Sequence, residues 1–552
     1  MSFLLATQYR PTLLVHAQTP TATLSGVVLD QNGAVVPGVD IAIINLAQGF
    51  QRQVTSDESG NFTVSFLPPG VYTIKAEHTG FAPAEVRDVT LNVNDRLRIS
   101  IQLKVGSIGQ TVDVIDKAPL RNDSTAITTL VDRQFVGNLP LNGRSFQSLI
   151  ELTPGMTFTK TTSSNPGQFS VNGQRADTNY FTIDGVSANI GVVSNLTFGQ
   201  SAGGTVPGLS ATGGSNNLVS VDALQEFKVL TSTFAPEFGR SSGAQVSIAT
   251  RSGTQDFHGA LFEYFRNDVL DANDWFANAK RQPKPRERQN DFGGVIGGPI
   301  LLPRFGEGGH QPWYNGRRGT FFFFSYEGLR LRQPQVLTTQ VPSVTARQDA
   351  PAQIKPYLNM FSLPNGRDLG NGFAELNSSF SNPITLNATS IRFDHIVNQN
   401  VTLFGRFNYS PSSASQRFVR NVSTIQISAF KTTTLTIGST FAFNPMISSD
   451  LRFNYSRNRG AGSYITDNFA GAVPLPDAVL FPPFATPKDS QFGFSLGIAR
   501  VNVGKNVDNS LQQLNLVDTV SLLIKAHQLR FGIDYRRLSP TIDQGAYAQV
   551  AA

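Results

Sequence analysis

The chain has no cysteine in 552 residues, which excludes disulfides, thiol catalysis and cysteine-type zinc sites. That absence fits any compartment and selects none. Long apolar runs are missing too. No stretch approaches the roughly 18 consecutive apolar residues of a membrane-spanning helix, so a membrane could be crossed only by a barrel of strands. Charge is scarce, with Asp, Glu, Lys and Arg at 15% against about 25% in ordinary soluble domains. The net charge of +6 is spread along the chain, and the densest basic run, Lys280 to Arg288, is broken by Pro283, Pro285 and Glu287. No basic face with stacking aromatics gathers, which argues against nucleic-acid binding. The six histidines lie far apart, and none forms an H-E-x-x-H pair or a cluster at ligand spacing. Neither a metal nor another cofactor is expected. Gly199–Gly203 and Gly239–Gly243 have the G-x-S-x-G spacing, but neither follows a strand and opens a helix as a nucleophile elbow must. Both read as turns, and no enzyme is expected.

What is present is phenylalanine, 41 residues of it, set among Gly, Ser, Thr and Asn. That mixture favours strands and turns. At the start, Phe3–Ala6 and Leu13–Val15 are apolar, and Val15-His16-Ala17 resembles a small-residue cleavage site. Arg10-Pro11 splits this region and no basic segment precedes it, so residues 1–18 are expected to be a degraded export signal. From 20 to 105 short alternating runs are punctuated by turn signals at Asp30–Gly33, Asp57–Asn61 and Pro68–Gly70, the pattern of an all-β sandwich. The two acidic turns lack EF-hand spacing and read as Asx-turns.

From 106 to 252 the texture changes. Gln110 to Ile115 is a short extended run. Ser145 to Leu152 reads as a helix capped by Ser145 and stopped at Pro154-Gly155. Asn189 to Asn217 is a long Gly/Ser-rich loop, of a kind that is often functional. From 253 to 552 hairpins alternate apolar and polar residues. Ile391 and Phe393 alternate with Arg392 and Asp394, and Val401, Leu403 and Phe407 return after the turn Asn398–Asn400. Leu435–Phe443 pairs with Leu451–Tyr455, and Leu516–Leu522 with Leu529–Tyr535. Strands of about nine or ten residues, aromatics near their ends, and short turns alternating with long connections such as Pro474–Pro487 point to a membrane barrel. About nine to eleven strands are expected, and Gln549–Ala552 lacks the terminal aromatic of a last barrel strand, so the barrel reads as incomplete and the chain as truncated.

The segments GVVLDQNGAVVPGV and DESGNFTVSFLPPGVYTI resemble the carboxypeptidase-regulatory-like domain, a transthyretin-like sandwich. LPLNGRSFQSLIELTPGM, FSVNGQRADTNYFTIDGV and LQEFKVLTSTFAPEFGRSSGAQVSIATRSGT resemble the plug of TonB-dependent receptors, nearest the Oar-like branch. The expected fold is therefore mainly β: a sandwich, an α+β plug, and an incomplete antiparallel transmembrane β-barrel. The resemblance implies a cell outer membrane of Gram-negative type, with the sandwich in the periplasm. It also implies the inner-membrane TonB complex, outer-membrane lipid and an extracellular ligand (an oligosaccharide, peptide or metal chelate) as partners. A TonB box must be extended so that it can add a strand to its partner's sheet, and Gln110, Thr111, Val112, Asp113 and Val114 fit by composition and position. A plug in a polar lumen should meet the wall through charged and amide groups. Arg144, Arg175, Asp177, Asp184, Glu237 and Arg240 are the candidates, and the Asn189–Asn217 loop is the candidate for ligand contact. The alternative is a surface or adhesion protein whose sandwich binds a partner and whose barrel is an anchor.

Overall fold

The computed structural model describes residues 20–106, 121–124, 126–138, 147–150, 153–158, 169–194, 203–208, 210–211, 218–235, 237–303, 313–524 and 527–551. Residues 1–18, the run 110–114, Ser145 and Arg144 lie outside them.

The first layer comprises β1 (Ala22–Asp30), β2 (Asp40–Asn45), β3 (Phe50–Thr55), β4 (Asn61–Leu67), β5 (Gly70–Glu77), β6 (Ala84–Leu91) and β7 (Arg96–Leu103). They form two facing sheets, β3-β2-β5-β6 and β4-β1-β7, the second extended by β8 (Arg121–Asn122). Alternation sends Leu24, Ile41, Ile43, Phe62, Tyr72, Ile74, Ile99 and Ile101 into one core. The acidic turns are closed by their own carboxylates. Asp30 accepts from the N–H groups of Asn32 and Ala34, and Asp57 from those of Ser59 and Asn61.

The second layer holds β9 (Ile127–Asp132), α1 (Arg133–Asn138), α2 (Gln147–Ile150), β10 (Met156–Phe158), β11 (Phe169–Val171), β12 (Tyr180–Ile183), β13 (Val186–Ser187), β14 (Leu224–Ser232) and β15 (Gln245–Thr250). Five of these strands make a sheet of order β13-β12-β15-β14-β9. Alternation again sends Phe181, Phe227, Val229, Val246 and Ile248 into one core, while Thr182, Glu226, Lys228 and Ser247 are buried on the opposite face of the sheet.

The wall follows: β16 (His258–Asn267), α3 (Trp275–Ala279), β17 (Arg288–Pro299), β18 (Leu301–Pro303), β19 (Trp313–Asn315), β20 (Thr320–Pro342), α4 (Val344–Asp349), α5 (Lys355–Asn359), β21 (Phe373–Asn398), β22 (Val401–Phe418), β23 (Asn421–Asn444), β24 (Ile447–Thr466), α6 (Asp477–Leu480), β25 (Ser490–Leu496), β26 (Ala499–Ile524), β27 (His527–Thr541) and β28 (Tyr547–Ala551). Sheet pairing runs β16-β17-β20-β21-β22-β23-β24-β26, with β25 and β27 both on β26 and β28 on β25, eleven strands in all. No helix among the described residues is long and apolar enough to cross a membrane. Several strands are far longer than the nine or ten residues expected, with 23 in β20 and 26 in both β21 and β26. The ladder continues past the apolar band into Ser/Thr/Asn-rich sequence, because backbone pairing needs no apolar face in water. Among the described residues β16 and β27 do not pair with each other, and in hydrocarbon such edges require partners.

Two-residue periodicity gives the wall two unlike faces. On β21, Ser390, Arg392 and Asp394 face the second layer, whereas Ile391 and Phe393 face away. Exposed Phe407, Ile437, Phe453, Leu516, Phe531 and Tyr535 continue that outward apolar face. At one end the turns are short and closed by asparagine. Asn398 Oδ1 accepts from the N–H of Asn400 and Val401, and Asn444 Oδ1 from that of Met446 and Ile447. The opposite end carries the long connections with α3, α4, α5 and α6. Short turns mark the periplasmic end of an outer-membrane barrel.

Candidate functional site

The plug sheet lies against the lumenal face of the wall, and Asp184 is the centre of that contact. The Asp184-Gly185 pair joins β12 to β13 with φ of 50° and 84°, the positive values of the two-residue type I′ hairpin that Asp-Gly favours. The turn aims a buried carboxylate at the wall. It accepts from the Thr250 N–H at 3.0 Å and from Thr250 Oγ1 at 2.9 Å. Arg392 Nη1 of β21 donates to it at 3.2 Å, and Arg406 Nη1 of β22 lies 3.8 Å away. Arg392 is held from behind by Asp394, 2.8 Å from its Nη2. Arg406 Nη2 donates to the plug carbonyl of Leu218 at 2.6 Å. Charge-assisted bonds of this kind are the strong ones.

Two further candidates meet the wall at β27. Arg240 Nε lies 3.0 Å from Asp534 Oδ2, and its Nη2 donates to the Asp534 carbonyl at 2.6 Å. Glu237 pairs with Arg530 at 3.4 Å and also with Arg96 of β7, so one carboxylate ties together wall, plug and sandwich. Arg175 and Asp177 differ: they are exposed at a 3₁₀ turn, and neither is brought to the wall. The described stretch 189–194 of the long loop is buried. Val192 N–H donates to Asn458 at 3.2 Å, Asn509 donates to the Val193 carbonyl at 2.9 Å, and Ser194 Oγ is 3.0 Å from Ser428 Oγ. That stretch offers no free surface to a ligand.

The contact is less uniformly polar than the alternation implied. Val295 and Phe323 of the wall belong to the plug core, Val186 packs on Val517, and Val192 and Val193 pack on Leu511. The seam therefore alternates ionic anchors with small apolar patches.

Sequence reasoning missed the second seam, between sandwich and plug. Asp95 and Lys228 form an ion pair of 2.7 Å with side chains 8% and 4% exposed. The Val93 N–H donates to Glu226, and Asn94 Nδ2 donates to Ser247 Oγ at 2.9 Å. Burial pushes the Glu226 carboxyl up to about 7, reinforced by Asp95 and Asp132 and opposed by the Val93 N–H and Lys228. The sandwich also touches the short-turn end of the wall: Ser65 Oγ lies 3.1 Å from Ser521 Oγ, and Gln528 Nε2 donates to Ser65 at 2.8 Å. A cavity of about 540 Å³ remains between the three layers, lined among others by Asn45, Arg133, Asp184, Arg251, Arg392 and Arg452. Lys228 and Asp95 stood in the sequence as ordinary charges, and no spacing marked them as partners.

The Ser of one G-x-S-x-G spacing, Ser241, donates to the Thr178 carbonyl and accepts from the Gly243 N–H, closing a turn. Among the described residues no group of three or more His, Asp or Glu side chains is placed to hold a metal ion.

A family model described as the outer membrane beta barrel domain matches residues 249–355 and 344–550, more than half of the chain. The chain belongs to the outer membrane β-barrel family. A second model, the carboxypeptidase regulatory-like domain, matches residues 23–104. The TonB-dependent transporter Oar of Myxococcus xanthus is 28% identical over 296 residues, 51% of this chain and 25% of that one. The chain thus spans about a quarter of that relative's length. The first model gives this protein its outer-membrane location, and the second a regulatory-like domain ahead of the barrel. Solved structures similar to it include the outer membrane transporter YddB of Escherichia coli (TM-score 0.48, 12% identity, 77% of this chain and 50% of that one). The ferric enterobactin receptor PfeA of Pseudomonas aeruginosa, as a mutant, is similar at a TM-score of 0.45 and 12% identity, over 76% of this chain and 49% of that one.

Proposed function

We propose that the chain is part of a TonB-dependent transporter in which the plug closes the wall and the sandwich docks below it on the periplasmic side. In this reading residues 20–105 are the sandwich, 106–252 the plug and 253–552 wall. The observation that carries it is the Asp184–Arg392–Arg406 contact. It joins a separately folded unit to the lumenal face of a strand wall through groups that water can also solvate. Ion pairs and single hydrogen bonds can be exchanged for water at modest net cost, unlike a continuous dry core. Such a seam suits a plug that must shift. Asp184, Glu237 and Arg240 are the wall anchors of this proposal. Arg144, outside the described residues, stays a candidate on sequence alone.

Energised movement needs a pulling point. Gln110–Val114, between sandwich and plug, is proposed as that point, to be read by the TonB complex through strand addition. The ligand class remains a large or scarce nutrient: an oligosaccharide, peptide or metal chelate. The adhesion alternative asks the sandwich to be free for a surface partner. Its contacts with Lys228, Glu237 and Ser521 support a docked rather than a displayed domain. Deleting Gln110–Val114 in the full-length parent is expected to abolish uptake and leave assembly in the outer membrane unchanged. Uptake that survives the deletion overturns the energised-transport reading.

A further inference from the structure

A buried cation of the sandwich, apart from the plug, faces a cavity that no acid lines. Alternation places Arg52 on the core face of β3, between Phe50 and Val54, where an apolar side chain is expected. Its residue is 5% exposed, and its guanidinium lies over the Phe50 ring at 5.5 Å. Its Nε has no hydrogen-bond partner among the described residues. The ionisable group that acts on it is the Tyr72 phenol, which burial pushes up and so keeps neutral. Burial draws the guanidinium down to about 10. That is still far above neutral pH, so Arg52 remains a cation with no countercharge from the described residues.

Arg52 looks into the seam between sandwich and wall. β3 and β4 are the outermost strands of the two sandwich sheets, and both line a cavity of about 210 Å³ there. The far side is built by the short turns of the wall, at Asn400 and Asn444, and by Leu523 at the end of β26. Among the described residues Arg52 is the one charged residue of the lining, and five carboxamides stand around it, those of Gln53, Gln399, Asn400, Asn444 and Gln528. Asn444 spends its Oδ1 on the N–H groups of Met446 and Ile447, which leaves its Nδ2 group to donate. Gln528 Nε2 donates to Ser65 and Ser521 and fastens one edge of the cavity.

A buried guanidinium left unpaired is costly. Surrounded by amide donors and by no carboxylate, it forms the donor set of an anion site. We propose that this cavity binds a phosphate-sized oxyanion, gripped by the Arg52 fork and by carboxamide N–H groups of the wall's turns. The ion supplies the countercharge that the chain does not. It touches both units at once, so its binding tightens the sandwich on the wall. The site rests on the docked sandwich and not on transport.

Inorganic phosphate is titrated calorimetrically into the full chain in zwitterionic detergent, with chloride holding the ionic strength. Saturable binding is expected, together with slower hydrogen exchange in 50–55 and 442–448. Arg52→Lys keeps the charge and loses the fork, and should weaken binding about tenfold, the loss of one charge-assisted hydrogen bond. Arg52→Met should abolish it. Asn444→Asp keeps the oxygen that closes its turn but sets a negative charge in the cavity, so it too should abolish binding while the sandwich core stays as it is. Short-chain phosphatidylglycerol tests a lipid headgroup as the source of the same phosphate. Preference for that lipid over the free ion overturns the proposal, as does the absence of saturable binding or full affinity in Arg52→Met or Asn444→Asp. If Ser65→Cys and Ser521→Cys cross-link in a chain that binds no phosphate, the site fails and the docking stands. Far-UV spectra verify that each variant keeps its strands.

Discussion

Asp184 reaches two layers from one turn, so its removal separates two consequences. In Asp184→Ala, Arg392 keeps Asp394, but Arg406 loses the carboxylate beside it. Stripping one partner from a buried ionic contact costs about 3–5 kcal/mol. Faster hydrogen exchange across 180–190 is expected, with the wall strands unchanged. Asp184→Asn, which keeps the Thr250 contact, should lose less. Glu226 gives a pH prediction of definite sign. Its carboxyl titrates at about 7 when docked and near the ordinary ~4.3 when free. Between those values the docked form binds the proton more tightly, so docking strengthens as pH falls through 7 and weakens as pH rises through it. Asp95 and Asp132 act in the same sense and Lys228 against it. Hydrogen exchange of residues 92–96 at pH 5.5 and 7.5 tests this. Glu226→Gln should remove the difference and hold the neutral-pH sandwich in the tighter state. A variant with the wild-type pH response would show that another group is responsible.

At the scale of elements, the hairpins were legible because a half-buried strand writes its period into the sequence. Arg392 between Ile391 and Phe393, or Arg452 between Leu451 and Phe453, can be read without a structure. The upper halves were not legible. In Phe373–Asn382 serine, asparagine and phenylalanine fall on either face, since both sides of the ladder meet water or loop. Nor could sequence show which lumenal arginine meets which plug carboxylate, because register between separate units is set only by their packing. One such contact is steric. A Cβ at Gly462 of β24 would fall on the Ser194 carbonyl, and one at Gly460 would lie 3.2 Å from that of Val193. The wall has no side chain there because the plug loop occupies its place. Gly462→Val should push the 189–194 stretch off the wall at a cost of about 1–3 kcal/mol, the usual range for overpacking. Increased proteolysis confined to that loop is the expected readout. An unchanged digestion pattern would mean that the loop does not rest on β24.

On the scale of the whole molecule, plug and sandwich are in series. Anything leaving the lumen at the short-turn end meets the sandwich, which is held by Lys228 and Glu226 to the plug and by Ser521 and Gln528 to the wall. If the plug alone shifts, the wall contact can stay; if the sandwich must swing aside, it cannot. A cross-link between sandwich and wall tests this. Ser65 Oγ and Ser521 Oγ are 3.1 Å apart, close enough that sulfur atoms in their place could reach the ~2.05 Å of a disulfide. In the full-length parent, Ser65→Cys with Ser521→Cys should block uptake when oxidised and recover it on reduction, each single variant behaving as the parent does. Undiminished uptake by the oxidised pair would mean that the ligand passes with the sandwich still fastened. The plug's exit and the sandwich's docking would then be independent, and the pH response at Glu226 would report domain docking alone.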